Sequence, residues 1–216
     1  MMIRGEKARG LILLTIVFFG SVFCAFLAVG FYSSVHKKPN ITILSKPKED
    51  FIKTNFKSAE VFHAGRMKEF SNPEKMIAAT FRDLFEKEKN WTNFEGRYLL
   101  ANIWATWCTP CVVELPALEK LGHIFANKNF EVIAISVDFN LSSQELRAFL
   151  DKRNLGDFAA FVDHKGEIQQ NIPMRGIPTT FLLSPKGKLL YVFEGDIHWD
   201  SPPSIAFFDK LLQQSR

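Results

Sequence analysis

The sequence has 216 residues, a length that suits one folded domain with attached segments. Its net charge of +4 is modest, and Lys and Arg are interleaved with Asp and Glu, so no basic stripe marks nucleic acid as a partner. Three cysteines are an odd number and too few for the disulfide framework of a small secreted domain. Stapling the fold is therefore not their purpose.

The chain begins with a long uncharged segment. Residues 10–35 contain no charged side chain, and they exceed the roughly 20 apolar residues that span a bilayer. A cleaved signal peptide is the alternative, but its apolar stretch usually runs only about 7 to 15 residues. We predict a short cytoplasmic tail at 1–9, a single transmembrane anchor at 10–35 and a tether at 36–64, which is polar and contains two prolines.

Residues 65–216 are predicted to form the folded domain. Nearly continuous apolar runs at 98–105 and 130–137 indicate buried strands. Between them, residues 110–125 place apolar side chains at helical spacing. This order predicts a strand-helix-strand unit, whose two strands run parallel.

The later part of the domain is predicted from capping, turn and periodicity signals. In chain order these signals indicate a helix capped by Ser142 that ends near Asn154 and Gly156, a strand at 158–162, an antiparallel hairpin of strands 179–183 and 189–193, and a final helix at 205–212.

Two cysteines form a C-x-x-C motif at the junction of the first strand and the helix. Unpaired N–H groups at a helix N-terminus stabilise a thiolate, so the first cysteine, Cys108, is expected to be nucleophilic. It is also expected to be exposed. Cys111 is expected to lie one turn inside the helix and to resolve a mixed disulfide. The alternatives are a structural disulfide and half of a zinc site. Zinc needs two further ligands, and the five histidines show no paired spacing, so neither a metal nor another cofactor is predicted.

The motifs around this pair resemble a known family. They are Leu100 to Cys111 (LANIWATWCTPC), Glu114-Leu115-Pro116 and Gly176-Ile177-Pro178-Thr179-Thr180. Together they resemble the membrane-anchored thioredoxin-like reductases, and above all the TlpA-like thiol-disulfide interchange proteins of alphaproteobacteria, with the ResA and CcmG proteins as more distant relatives.

The resemblance implies an α/β thioredoxin-like fold with a helix-strand insertion at residues 142–162, preceded by the transmembrane helix. It implies a cis peptide bond before Pro178. It also implies that client proteins contact Trp107, Thr109, Pro110, Ile177 and Pro178, with Ile177 offering backbone groups to an extended client segment. The stretch 169–175 looks shorter than in relatives, so the helix there is expected to be reduced to a turn.

One position departs from the cytosolic thioredoxins. Asn102 stands where those proteins usually carry a buried aspartate. The nearest replacement is Glu114, three residues after Cys111 and on the same helical face, which makes it a candidate proton acceptor. The alternative is a solvated surface carboxylate.

The resemblance implies a thiol-disulfide oxidoreductase that reduces clients in cytochrome oxidase copper-site assembly or cytochrome c maturation. It places the catalytic domain in the periplasm on a single-pass inner-membrane anchor, supplied with electrons by a membrane donor of thiol-transfer type. Two other functions remain open from the residues: a copper-binding chaperone that uses the thiolates as soft ligands, and a thiol oxidase or isomerase.

Overall fold

The computed structural model describes residues 66–69, 74 and 76–213. The predicted tail, anchor and tether lie outside these residues. Among the helices that are described, none has the length and apolar character needed to cross a bilayer.

The central strand is apolar and buried along its whole length. Strand β4, Tyr98–Trp104, has all seven side chains buried, as a strand covered on both faces requires. It pairs in parallel with the strand Phe130–Ser136 and antiparallel with the strand Thr179–Leu183. The helix Thr109–Phe125 joins the parallel pair, so the predicted strand-helix-strand unit is confirmed.

The other strands of the described residues are β1 (Arg66–Glu69), β2 (Thr80–Asp83), β3 (Glu88–Asn90), β5 (Phe130–Ser136), β6 (Ala160–Val162), β7 (Thr179–Leu183) and β8 (Leu189–Glu194). Together with β4 they form one eight-stranded sheet in the order β1-β8-β7-β4-β5-β6-β2-β3. The helices are α1 (Thr109–Phe125), α2 (Ser143–Asp151), α3 (Glu167–Asn171) and α4 (Pro202–Gln213), and a 3₁₀ turn spans Trp91–Phe94.

The predicted helix-strand insertion is present as α2 and β6. The Ser142 hydroxyl accepts from the backbone N–H of Glu145, and the Glu145 carboxylate accepts from the backbone N–H of Ser142. This reciprocal cap fixes where α2 begins. The helix ends at Asp151, earlier than predicted, and Asn154 then adopts a left-handed φ of 58°.

Two helix boundaries differ from the sequence prediction. Helix α4 begins at Pro202 and not at Ile205, because proline is tolerated in the first helical turn and Ser201 accepts a bond from the backbone N–H of Ser204. Helix α3 keeps five residues, ending at Asn171 before Pro173, so this segment is a short helix and not a bare turn.

Strands β1, β2 and β3 were not predicted. Each has only three or four residues, which is too short for a periodic pattern to show. Distant partners hold them: β1 pairs with β8, and β2 pairs with β6. In the core beside β2, Phe81 packs with its ring centroid 5.1 Å from Trp91 and 5.2 Å from Phe161.

Candidate active site

The cysteine pair lies at the N-terminus of α1, just after the loop that connects β4 to this helix. Cys108 is the residue that caps the helix, with an extended backbone, and Thr109 and Pro110 open the first turn. Cys108 and Cys111 are joined by a disulfide across a Cα–Cα distance of 5.3 Å. This position gives a thiolate at Cys108 the benefit of the helix dipole and of unpaired N–H groups.

The expected exposure of Cys108 is wrong for this disulfide form. Cys108 is 6% exposed and Cys111 is fully buried. The disulfide joins Cys108 to this buried cysteine of α1. The neighbouring Trp107 takes the exposed position instead, with 70% of its surface accessible. Trp104, by contrast, is completely buried in the core.

The loop before the cysteines is held by the end of β5. The Asp138 carboxylate accepts from the backbone N–H of Thr106 at 2.8 Å and from the Thr106 hydroxyl at 2.7 Å. The Ser136 hydroxyl donates to the same carboxylate at 2.6 Å. Sequence reasoning missed this contact, although Ser136 and Asp138 at the carboxyl end of a strand beside the cysteine-bearing strand were a usable signal.

The Ile177–Pro178 peptide bond is cis, as the family resemblance implied. Two bonds hold the loop: the Pro178 carbonyl accepts from the backbone N–H of Gly195 at 2.9 Å, and the Thr179 hydroxyl donates to the Gly176 carbonyl at 2.7 Å. Ile177 is half-buried and Pro178 is buried. Strand β7 follows this loop and places Thr180 opposite Asn102 of β4, so the strand after the proline loop pairs with the strand that leads to the cysteines.

Glu114 is buried, with 3% of its surface exposed, so the alternative of a solvated surface carboxylate does not apply. Its Oε1 accepts from Asn102 Nδ2 at 2.7 Å. Its Oε2 accepts from the Ile197 backbone N–H at 3.3 Å and from the Trp199 indole at 3.2 Å. The last two donors lie more than eighty residues further along the chain, and no local sequence pattern reports such a contact.

Burial raises the pKa of the Glu114 carboxyl to about 8. Loss of hydration is the largest cause; the three N–H donors oppose it, and the negative charge of Asp196 adds to it. A carboxyl group with this pKa accepts and releases a proton in the range where cysteine thiols titrate. That property suits a proton acceptor for the dithiol.

No group of three or more His, Cys, Asp and Glu side chains suited to a metal ion occurs within residues 66–69, 74 and 76–213.

The fold and the cysteine pair define a thioredoxin-like thiol-disulfide oxidoreductase. A family model described as the AhpC/TSA family matches residues 67–192, which is more than half of the chain. The chain therefore belongs to the AhpC/TSA family.

Named relatives agree with this class. The thioredoxin-like protein YneN of Bacillus subtilis is 33% identical over 116 residues, which are 54% of this chain and 67% of that protein. The thiol-disulfide oxidoreductase ResA of Bacillus cereus is 31% identical over 133 residues, 59% of this chain and 75% of that protein. The chain is thus similar to enzymes of thiol-disulfide exchange.

Solved structures establish the same fold. The solution structure of a thiol:disulfide interchange protein from a Bacteroides species aligns with a TM-score of 0.56 at 19% identity, covering 67% of this chain and 91% of that one.

The buried carboxyl group makes stability depend on pH. Because the pKa of Glu114 is about 8 in the folded protein and ordinarily 4.5, the folded state holds a proton that the unfolded state releases between these values. Unfolding free energy is therefore expected to fall as pH rises through this window, by a few kcal/mol at about 1.4 kcal/mol per pKa unit. Urea unfolding of the wild type and Glu114→Gln across the window measures the effect.

The substituted protein is expected to lose this part of the pH dependence, because glutamine does not ionise. Glu119→Gln, on the same helix, is the matched control and keeps the wild-type slope. Equal slopes for the wild type and Glu114→Gln would contradict the assignment.

Proposed function

We propose that this chain reduces disulfides of client proteins outside the bacterial cytoplasm, through Cys108 and Cys111. The observation that supports this proposal is the disulfide between these residues at the N-terminus of α1, next in sequence to the exposed Trp107. The preceding strand β4 pairs with β7, the strand that follows the Pro178 loop. Trp107, Thr109, Pro110, Ile177 and Pro178 form the proposed client contact. An extended client segment would lie along the backbone at Ile177, as an added strand does.

The reduction transfers two electrons and two protons from the dithiol to the client. The Cys108 thiolate attacks one client sulfur, which forms a mixed disulfide and releases the other client sulfur as a thiolate. The Cys111 thiol then loses its proton and attacks the Cys108 sulfur, so the intramolecular disulfide closes and the second client thiolate leaves. The protons first held by the two enzyme thiols end on the two client thiolates.

Glu114 is the proposed acceptor of the Cys111 proton. The two residues are three positions apart on α1, a spacing that places their Cβ atoms about 5–6 Å from one another. The raised pKa of Glu114 lets it take this proton and pass it on near neutral pH.

The proposed location is the inner membrane, with residues 10–35 as a single-pass anchor and the catalytic domain in the periplasm. The uncharged run of the sequence supports the anchor. Reduction is the useful direction there, because extracytoplasmic compartments oxidise thiols and metal-binding or haem-binding cysteines must be kept reduced.

Within the class, we assign the chain to the TlpA-like type on its motifs. The proposed clients are proteins of cytochrome oxidase copper-site assembly or cytochrome c maturation. A membrane partner of thiol-transfer type would return electrons to the Cys108–Cys111 disulfide after each turnover.

Substitution of each cysteine separates their roles. Cys108→Ser is expected to abolish client reduction, whereas Cys111→Ser still attacks once and stalls as a mixed disulfide, because only the first thiol reaches the client. Non-reducing electrophoresis of alkylated cell extracts detects the stalled adduct, and mass spectrometry identifies the client. Cys24→Ser, which removes the third cysteine from the uncharged run at 10–35, is the control and is expected to leave reduction intact. An adduct formed by Cys111 in the Cys108→Ser protein would reverse the two roles.

Glu114→Gln is expected to lower the apparent pKa of the Cys108 thiol by about one unit, because a nearby carboxylate disfavours a second negative charge. It is also expected to slow the resolving step, which must deprotonate Cys111. Thiolate absorbance against pH measures the first effect and single-turnover release of reduced client measures the second, with Glu119→Gln as the control. The carboxyl and thiol titrate as a coupled pair, so curves that match the wild type in both assays would remove Glu114 from the mechanism.

The anchor is tested by fractionation. The full chain is expected to stay with the membrane after high-salt and alkaline washing, because residues 10–35 carry no charge and are long enough to span the bilayer. A variant that lacks residues 10–35 is the control and is expected in the soluble fraction. Recovery of a shortened soluble form from the full-length gene would show cleavage and defeat the anchor.

A further inference from the structure

The Asn102 side chain is a completely buried amide between Glu114 and Thr180. Its Nδ2 donates to Glu114 Oε1 at 2.7 Å and to Thr180 Oγ1 at 2.9 Å. Its Oδ1 is buried without a hydrogen-bond partner. Both partners of this amide therefore lie on one side of it.

The two oxygens of Glu114 have different surroundings. Oε2 faces the Ile197 backbone N–H and the Trp199 indole N–H, and these two groups can only donate. A proton on Oε2 would take a lone pair that these donors use and so break at least one of the two bonds. Among the described residues, the hydrogen-bond partner of Oε1 is the Asn102 amide. The proton of the neutral carboxyl group therefore belongs on Oε1.

A proton on Oε1 conflicts with the amide as it stands, because Nδ2 also donates. Rotation of the amide by half a turn about its Cβ–Cγ bond exchanges Nδ2 for Oδ1, which accepts from the Glu114 hydroxyl. The Thr180 hydroxyl both donates and accepts, so its bond to the amide reverses direction and is kept. Asparagine has a broad, roughly two-fold preference about this torsion. In each protonation state of Glu114, the Asn102 amide thus keeps one bond to Glu114 and one to Thr180.

We propose that Asn102 is a positioning residue whose amide rotates by half a turn whenever Glu114 gains or loses a proton, and so keeps both forms of the carboxyl group hydrogen-bonded. The orientation with Nδ2 towards Glu114 is the one that fits the carboxylate. The role deepens the proposed function, on which its use in client reduction rests. In that reaction Cys111 gives its proton to Oε1, the amide turns, and the amide turns back when the proton passes to the leaving client thiolate.

Other charged and titratable groups near Glu114 do not replace this role. Asp196 acts on Glu114 through its charge, and Cys108 and Cys111 do not titrate while they are disulfide-bonded. The disulfide form therefore isolates the titration of Glu114 from that of the thiols. An experiment on the oxidised full chain tests the rotation without any client or redox step.

The test follows the side-chain amide protons of Asn102 by NMR in the oxidised full chain, labelled with ¹⁵N at asparagine, from below to above the Glu114 pKa of about 8. The nuclear Overhauser contact between these protons and the Thr180 methyl group is expected on the alkaline side and lost on the acidic side. Its midpoint is expected to match the titration of the Glu114 carboxyl carbon. In Glu114→Gln, the contact is expected to be independent of pH.

A contact of equal strength on both sides of the Glu114 titration would overturn the rotation, while leaving client reduction by the cysteines untouched. Conversely, if the full chain reduced no client, the proposed function would be wrong. The pH-dependent Asn102 contact would still be expected, because it is measured without a client. Infrared spectra of Asn102→Leu give a second readout. The C=O stretch of protonated Glu114 is expected to shift to higher wavenumber than in the wild type, because its O–H has lost its acceptor, and an unchanged band would also overturn the proposal.

Discussion

The site depends on one buried carboxyl group. An ionisable side chain with almost no exposed surface is costly unless polar partners surround it, and Glu114 receives N–H donors from β4 and from the segment after β8 while it sits on α1 itself. Three parts of the chain must therefore meet at one point. Gly195 lies in the same segment after β8, and its backbone N–H donates to the Pro178 carbonyl. This segment therefore provides hydrogen bonds both to the Glu114 carboxyl group and to the proline loop.

The sheet provides the other support. The parallel register pairs Trp104 at the end of β4 with Ser136 at the end of β5, so the two following loops leave the sheet side by side. Thr106 and Asp138 then bond directly. The cysteine-bearing loop is thus fixed at its base by a strand end and at its far side by the first turn of α1. Such fixed geometry is what a nucleophile needs in order to meet a client sulfur in one orientation.

The sequence predicted the parts of the fold whose signals are local. Strand β4, helix α1, strand β5 and the β7–β8 hairpin follow from continuous apolar runs, helical spacing and a turn-rich connection. The short strands β1 to β3 were not predicted, because three or four residues are too few to show a periodic pattern. Their pairing also depends on partners that are distant in the sequence. For the site, the C-x-x-C pair and the helical face of Glu114 were readable. The Trp199 contact and the covered position of Cys108 were not, because both depend on tertiary packing.

The pairing of Asn102 with Glu114 follows from electrostatics. Two acids placed 2.7 Å apart, the distance between Asn102 Nδ2 and Glu114 Oε1, cannot both ionise without strong repulsion. An aspartate at position 102 would face Glu114 as a second acceptor and would hold one of the two carboxyl groups protonated. Asparagine has nearly the same shape without the charge, and its amide offers either a donor or an acceptor. A neutral residue on β4 leaves Glu114 as the one acid of this pair, and an amide can donate to its carboxylate or accept from its protonated form.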